Sequence, residues 1–184
     1  MCGIVGYTGP RNALDILVPS LERLEYRGYD SAGISIDDGN DSIHIVRTTG
    51  KLSALKKKLE SHTYLEGYSG IGHTRWATHG KVTLENAHPH QDCQKAISVA
   101  HNGIVENYSS LKKILQDQGH KFLSMTDTEI IPHLIEEELK HTKSLEKAVA
   151  RTVSKLEGGN SIVVISTANK GTIIAARQGH SGGI

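Results

Sequence analysis

Apolar side chains along this chain occur in short continuous runs and in stretches of helical period, and their order predicts the architecture. Residues 3–8, Gly-Ile-Val-Gly-Tyr-Thr, form a brief apolar run ended by Gly9-Pro10, which predicts a buried strand. From 12 to 25, Leu14, Leu17, Val18, Leu21 and Leu24 share one helical face, with Asn12 placed to cap it and Pro19 placed to kink or restart it. Residues 32–37 and 42–48 predict a hairpin turning through Asp37-Asp38-Gly39-Asn40-Asp41. Leu52, Leu55 and Leu59 predict a helix over 51–61, and strands follow over 69–75 and 96–101. Between those strands, residues 76–95 are polar, rich in histidine and aperiodic, and read as a loop.

Three helices come next. One covers 107–118, with Leu111, Ile114 and Leu115 inward and Gly119 as its stop. The second covers 128–141, with Pro132 tolerated in its first turn. The third, 144–157, opens at Ser144 and closes at Gly158-Gly159. Residues 161–167 and 172–176 make a last hairpin around Ala168-Asn169-Lys170-Gly171. Strands, helix, strands, three helices, strands is not a regular βαβ alternation. That order disfavours a doubly wound parallel sheet and suits two sheets with helices outside them.

Composition narrows the function classes. A chain of 184 residues fits one domain and can bury a core without disulfide staples. Its net charge of +1 gives no global electrostatic case for nucleic acid or an anionic membrane. Lys56-Lys57-Lys58 lies between Leu55 and Leu59 in a helical pattern and reads as a solvated helix face. Two cysteines, Cys2 and Cys93, do not make a secreted disulfide framework. The N-terminus lacks a basic region followed by a long apolar stretch, and no apolar run reaches membrane-spanning length. The expectation is a soluble cytoplasmic protein with no nucleic-acid or membrane partner.

The chemistry centres on Cys2. Once Met1 is trimmed, this residue carries a thiol and a free α-amine together. The amine titrates at about 7.7–8.0 and the thiol at about 8.5, so the amine can serve as a local base near neutral pH. Gly3 leaves backbone room beside the thiol. Other polar segments sit at expected strand ends. Glu25-Tyr26-Arg27-Gly28-Tyr29-Asp30-Ser31-Ala32-Gly33 joins a helix to a strand, and His73-Thr74-Arg75-Trp76-Ala77-Thr78-His79-Gly80 ends another. Asn102-Gly103 offers a side-chain amide and a backbone N–H in sequence, donors suited to a developing oxyanion. Thr126-Asp127-Thr128-Glu129 precedes a helix, where Asp127 or Thr128 could also be a plain cap.

Together these segments give the sequence a specific resemblance. From Cys2-Gly3-Ile4-Val5-Gly6 to Ala176-Arg177-Gln178-Gly179 it resembles the glutaminase domains of glucosamine-6-phosphate synthases (glutamine:fructose-6-phosphate amidotransferases). These are class II glutamine amidotransferases of the N-terminal-nucleophile hydrolases. His-Thr-Arg-Trp-Ala-Thr-His-Gly and Asn86-Ala87-His88-Pro89-His90 set the likeness apart from the purine-pathway amidotransferases, which share the Arg-Gly-x-Asp-Ser-Ala-Gly pattern. The resemblance implies an α+β fold, a four-layer αββα sandwich of two mainly antiparallel sheets. It implies one glutaminase domain over 1–184, incomplete at its C-terminus and lacking the sugar-phosphate isomerase domain. Open sheet edges would then lower stability or favour association, which leaves room for a homo-oligomer.

The roles implied by the resemblance fall on matching positions. Cys2 attacks the glutamine side-chain amide, with Asn102 and Gly103 holding the oxyanion. Arg75 clamps the substrate α-carboxylate and Asp127 receives the α-ammonium. Thr78 and His79 line the pocket, Arg27 supports the surroundings of the nucleophile, and Trp76 borders the ammonia exit. No cofactor or metal is implied. The partners are L-glutamine and, in the whole enzyme, an isomerase domain using fructose 6-phosphate. One departure is Gly158-Gly159-Asn160-Ser161, where the family usually has a Gly, a small residue and an aromatic; it is expected to affect packing more than chemistry.

Two rival readings stand beside this one. A binding or regulatory fragment would keep Arg75 and Asp127 for glutamine without using Cys2 as a nucleophile. A zinc-dependent hydrolase would draw on His88-Pro89-His90 followed by Cys93, although no fourth ligand is evident in the sequence.

Overall fold

A computed structural model describes residues 2–62, 65–77 and 81–180. It contains two antiparallel sheets. The first comprises β1 (Gly3–Thr8), β2 (Ser31–Asp37), β3 (Ile43–Thr49) and β4 (Ser69–Arg75), in the order β1-β4-β2-β3. The second comprises β5 (His90–Gln91), β6 (Ile97–Gly103), β7 (Asn160–Ser166) and β8 (Ile174–Gln178), in sequential order. Helices α1 (Leu14–Leu24) and α2 (Leu52–Leu59) pack on the first sheet, through Leu17, Leu21, Leu52 and Leu55 against Ile34, Ile36 and Val46. Helices α3 (Tyr108–Asp117), α4 (Ile130–Leu139) and α5 (Leu145–Lys155) pack on the second, against Ile97, Val99, Ile162 and Val164. Between the sheets lies a small core of Ile4, Ile43, Ile71, Ala100, Val163 and Ile165. Four layers, αββα, follow from those three apolar interfaces, as expected.

Period-two alternation accounts for the layering. On β6, Ile97 and Val99 face the helices, whereas Ala100 faces the other sheet. On β4, Ile71 points between the sheets and the glycines at 70 and 72 face α1. A Cβ at Gly72 would lie 2.9 Å from Leu21 Cδ1, so the bare backbone lets α1 settle close to the sheet. The inward face of β4 therefore continues through His73 to Arg75, and both are buried where the two sheets meet.

Boundaries depart from the sequence expectations at a few places. Asn12 Oδ1 accepts from Leu14 N at 3.1 Å, so the side chain supports the first turn although α1 begins two residues later. Pro19 lies inside α1 without ending it, and Pro132 occupies the first turn of α4. The expected loop over 76–95 contains β5, which pairs with Val99 and Ser98; two residues are too few to show a period. Gly119, with φ 95°, ends α3 as expected: Gly119 N bonds Gln116 O and His120 N bonds Leu115 O. That pattern is the Schellman arrangement, and it turns His120 back under the helices. Among the described residues, no helix is long and apolar enough to cross a membrane.

Candidate active site

Strand register assembles the site. Gly3 pairs with Thr74 and Ser31 with Arg75, which places Cys2 beside the exit of β4. Trp76 N donates to Cys2 Sγ at 3.2 Å, and the thiol lies 3.5 Å from Trp76 O. Burial pushes the Cys2 thiol up, outweighing the Trp76 contact and the nearby positive charges of the amino terminus and Arg75. The resting sulfur is therefore a protonated thiol, and its activation calls for a base close by.

Asn102 reaches Cys2 from the opposite sheet. Its Nδ2 donates to Cys2 O at 3.2 Å, and its Oδ1 lies 3.1 Å from His73 Nε2. The same His73 nitrogen lies 3.1 Å from His101 O, which can only accept. His73 therefore carries its proton on Nε2 and donates to Asn102, fixing which end of the amide faces Cys2. Desolvation lowers the His73 pKa to about 3, so this ring is neutral near pH 7. Beside it, His88 stacks on His73 with centroids 4.2 Å apart, and His90 Nε2 meets Thr126 Oγ1 at 3.1 Å.

Gly103 closes β6 with φ 141°, and a Cβ there would come within 2.1 Å of Gly159 O. The departure at 158–161 is woven into this corner. Asn160 pairs in register with Gly103, and its Oδ1 accepts from His101 Nε2 at 3.0 Å. It thus touches the site's support as well as the packing.

Arg75 and Asp127 complete the enclosure. Cys2, Arg75, Trp76, Gly103, Asp127 and the Thr126–Thr128 segment line one cavity. Burial lowers the Arg75 guanidinium pKa, opposed by the fields of Cys2, Asp127 and Asp30. Asp127 Oδ2 accepts from Val105 N at 2.8 Å, across to the loop after β6. The plain-cap reading fails for this residue: α4 starts at Ile130 with no side-chain cap, and Thr128 Oγ1 bonds His101 Nδ1 instead.

Of the other expected site residues, Trp76 is 43 % exposed at the rim and meets Tyr29 edge-on, centroids 5.4 Å apart. Arg27 lies on a short 3-10 turn, Glu25–Arg27, and is not among the residues lining the cavity. Thr78 and His79 lie outside the described residues. Sequence reasoning gave no role to His73, Asp30 or Gly28. His73 precedes Arg75 by two on one strand, the spacing that puts both on one face. Asp30 Oδ2 accepts from Ala77 N at 2.9 Å while Asp30 N bonds Arg75 O, so it holds the strand exit.

The zinc grouping of the rival reading, His88 and His90 with Cys93, does not form. His88 and His90 turn toward His73 and Thr126, whereas Cys93 faces His120 and His133.

Residues 73–182, more than half of the chain, match the family described as "Glutamine amidotransferase domain". The chain is 50% identical over 185 residues to the glutamine–fructose-6-phosphate aminotransferase (isomerizing) of Synechocystis, covering 97% of this chain and 29% of that protein. It is 47% identical over 179 residues to the protein of the same name from Tropheryma whipplei, again 97% of this chain and 29% of the relative. The chain thus spans less than a third of the length of these relatives. Among solved structures, the glutamine phosphoribosylpyrophosphate amidotransferase of B. subtilis superposes with TM-score 0.80 at 27% identity, over 96% of this chain and 37% of that one. The matched segment carries His73, Arg75, Asn102, Gly103 and Asp127, the residues that enclose Cys2 from both sheets, and the chain belongs to the glutamine amidotransferase domain family.

Proposed function

We propose that this chain hydrolyses the side-chain amide of L-glutamine to glutamate and ammonia, with Cys2 as nucleophile. The carrying observation is the convergence of Cys2, Arg75, Gly103 and Asp127 on one cavity, with Asn102 bonded to Cys2. With Met1 removed, the Cys2 α-amine takes the thiol proton and the sulfur adds to the amide carbon. The tetrahedral oxyanion is held by Asn102 Nδ2 and Gly103 N–H. Its collapse breaks the C–N bond, with the proton passed back to the leaving nitrogen as ammonia departs. Water then cleaves the γ-glutamyl thioester, releasing glutamate and restoring the thiol. A raised thiol pKa supports a local base, since little thiolate exists at neutral pH without one.

Arg75 suits the α-carboxylate, because a planar guanidinium offers two parallel donors. Asp127 keeps Oδ1 for the α-ammonium while Oδ2 is engaged by Val105. Thr78 and His79 take part in binding the substrate, Trp76 borders the exit path of ammonia, and Arg27 supports the surroundings of the nucleophile. The relatives' names extend the reading: ammonia made here would aminate fructose 6-phosphate on a further, isomerase domain.

Intact mass after exposure to a diazoketone analogue of glutamine tests the reaction. Loss of Met1 plus one adduct mapped to Cys2 is expected. Trimmed protein that binds glutamine but gains no adduct and forms no glutamate would replace this reading with that of a binding domain.

A further inference from the structure

Cys93, His120, His133 and Glu136 each bring one ligand atom into a group whose members all lie within 4.8 Å of one another. Three separate elements deliver them. Cys93 stands in the turn from β5 to β6, His120 directly follows the glycine stop of α3, and His133 and Glu136 are one turn apart on α4. Cys93 Sγ lies 3.5 Å from His120 Nδ1 and 3.6 Å from His133 Nδ1. The two Nδ1 atoms are 3.2 Å apart. Glu136 Oε2 lies 3.2 Å from His120 Nδ1 and 3.6 Å from His133 Nδ1.

These five separations match a tetrahedron around zinc, and the sixth, between Cys93 Sγ and the Glu136 carboxylate, is within 4.8 Å. Bond lengths of about 2.3 Å to sulfur and about 2.05 Å to nitrogen or oxygen put N–N and N–O pairs about 3.3 Å apart and N–S pairs about 3.6 Å apart. The protonation pattern agrees. His120 Nε2 sits 2.6 Å from Glu137 Oε1, a carboxylate that only accepts, so Nε2 donates there and in the neutral ring Nδ1 turns a lone pair into the group. A carboxylate behind a ligating histidine is the usual outer support of a metal centre. Both rings are buried, His133 to 1% and His120 to 8% exposure. Two imidazole nitrogens, a carboxylate oxygen and a sulfur so close together need either protons or a cation between them, and a single cation would satisfy all four. One thiolate and two imidazoles select zinc over magnesium or calcium, which prefer oxygen.

We propose that Cys93, His120, His133 and Glu136 form a structural zinc site, separate from the glutamine chemistry at Cys2. All four tetrahedral positions are supplied by the protein, which leaves none for a reacting water. The ion would tie the β5–β6 turn to the end of α3 and to α4. Glu129, just before α4, accepts from Leu123 N and Ser124 N and so fastens the adjoining loop that presents Asp127. Cys93 and His133 also line a cavity of about 250 Å³, which gives an ion its route in.

Cobalt(II) titration of the chelator-treated full chain tests the assignment. One cobalt per chain is expected, with a thiolate-to-cobalt charge-transfer band and tetrahedral d–d absorption, both removed by stoichiometric zinc. Saturating zinc at a hundredfold excess over Kd should raise Tm by roughly 5–10 °C. The band should vanish in Cys93→Ser, weaken in Glu136→Gln and persist in Cys2→Ser. Absence of a thiolate band in the unsubstituted chain, or a band that survives Cys93→Ser, would overturn the site and leave a hydrogen-bonded cluster. The unsubstituted titration decides the matter even where a variant does not fold.

Discussion

Asn102 Nδ2 stands 3.2 Å from the carbonyl oxygen of Cys2, a residue 100 positions away in sequence and on the other sheet. The contact links the two layers at the point where the nucleophile sits. Because His73 donates to the far end of the same amide, the NH₂ group cannot turn away without losing that bond.

Replacing Asn102 with Ala removes the donor while leaving Cys2 and the strand pairing of β6 in place. Turnover of glutamine should fall roughly 10²–10³-fold, the effect of losing one oxyanion donor. Steady-state glutamate release checks it. A loss under threefold would take Asn102 out of the oxyanion role and make its bond to Cys2 purely structural.

Asp127 has a double duty that a truncation to Ala would confuse. Removing the carboxylate strands Val105 N as well as any substrate ammonium. Asp127→Asn keeps an acceptor for Val105 and deletes only the charge. KM for glutamine should then rise about 10–100-fold, the equivalent of one charge-assisted hydrogen bond, with kcat changed far less. An unchanged KM, measured alongside an unchanged melting temperature, would assign Asp127 to the loop alone.

Most of the architecture was legible because it rests on apolar period and on turn chemistry. The apolar stretch over 96–101 gave a strand, and Gly119 gave a helix end. The site was legible where a residue type carries its own chemistry: Cys2 at the amino terminus, Asn102-Gly103 after a strand, Arg75 at a strand end. Less legible were residues whose role is set by a partner far away in sequence. His73 matters through Asn102, and Cys93 through His120 and His133, which belong to another part of the chain. Local reading paired Cys93 with the near histidines, His88 and His90, because sequence distance was the only distance at hand. The two-residue β5 was hidden for a related reason: its existence depends on β6 rather than on its own pattern.

Gly28 shows a steric demand of the site. Its backbone is extended, with φ −173°, so an alanine is conformationally acceptable there. Space is the obstacle: a Cβ would lie 2.7 Å from Arg75 C and 2.8 Å from Trp76 N. Those atoms belong to the backbone that donates to Cys2 Sγ, and they can yield only by moving the strand exit. Gly28→Ala should destabilise the chain by about 1–3 kcal/mol through overpacking and lower glutamine turnover at least tenfold. Denaturant midpoints and turnover measured together check it; wild-type values for both would show that the Arg75–Trp76 backbone has slack.

Buried histidines tie stability to pH. His73 is held neutral, with its pKa lowered from 6.5 to about 3 by desolvation. His88, His90 and His101 are shifted in the same direction, for the same first cause. Between these limits the unfolded chain binds a proton at position 73 that the folded chain refuses, so stability is full above pH 6.5 and falls as the pH drops toward 3. The slope from His73 alone approaches about 1.4 kcal/mol per pH unit, or about 2 kcal/mol lost by pH 5. Urea midpoints between pH 7.5 and pH 5 should decline accordingly, and His73→Phe should remove part of the decline. A pH-independent midpoint across that range would mean that these rings gain protons in the folded state as easily as in water, contrary to their burial between the sheets.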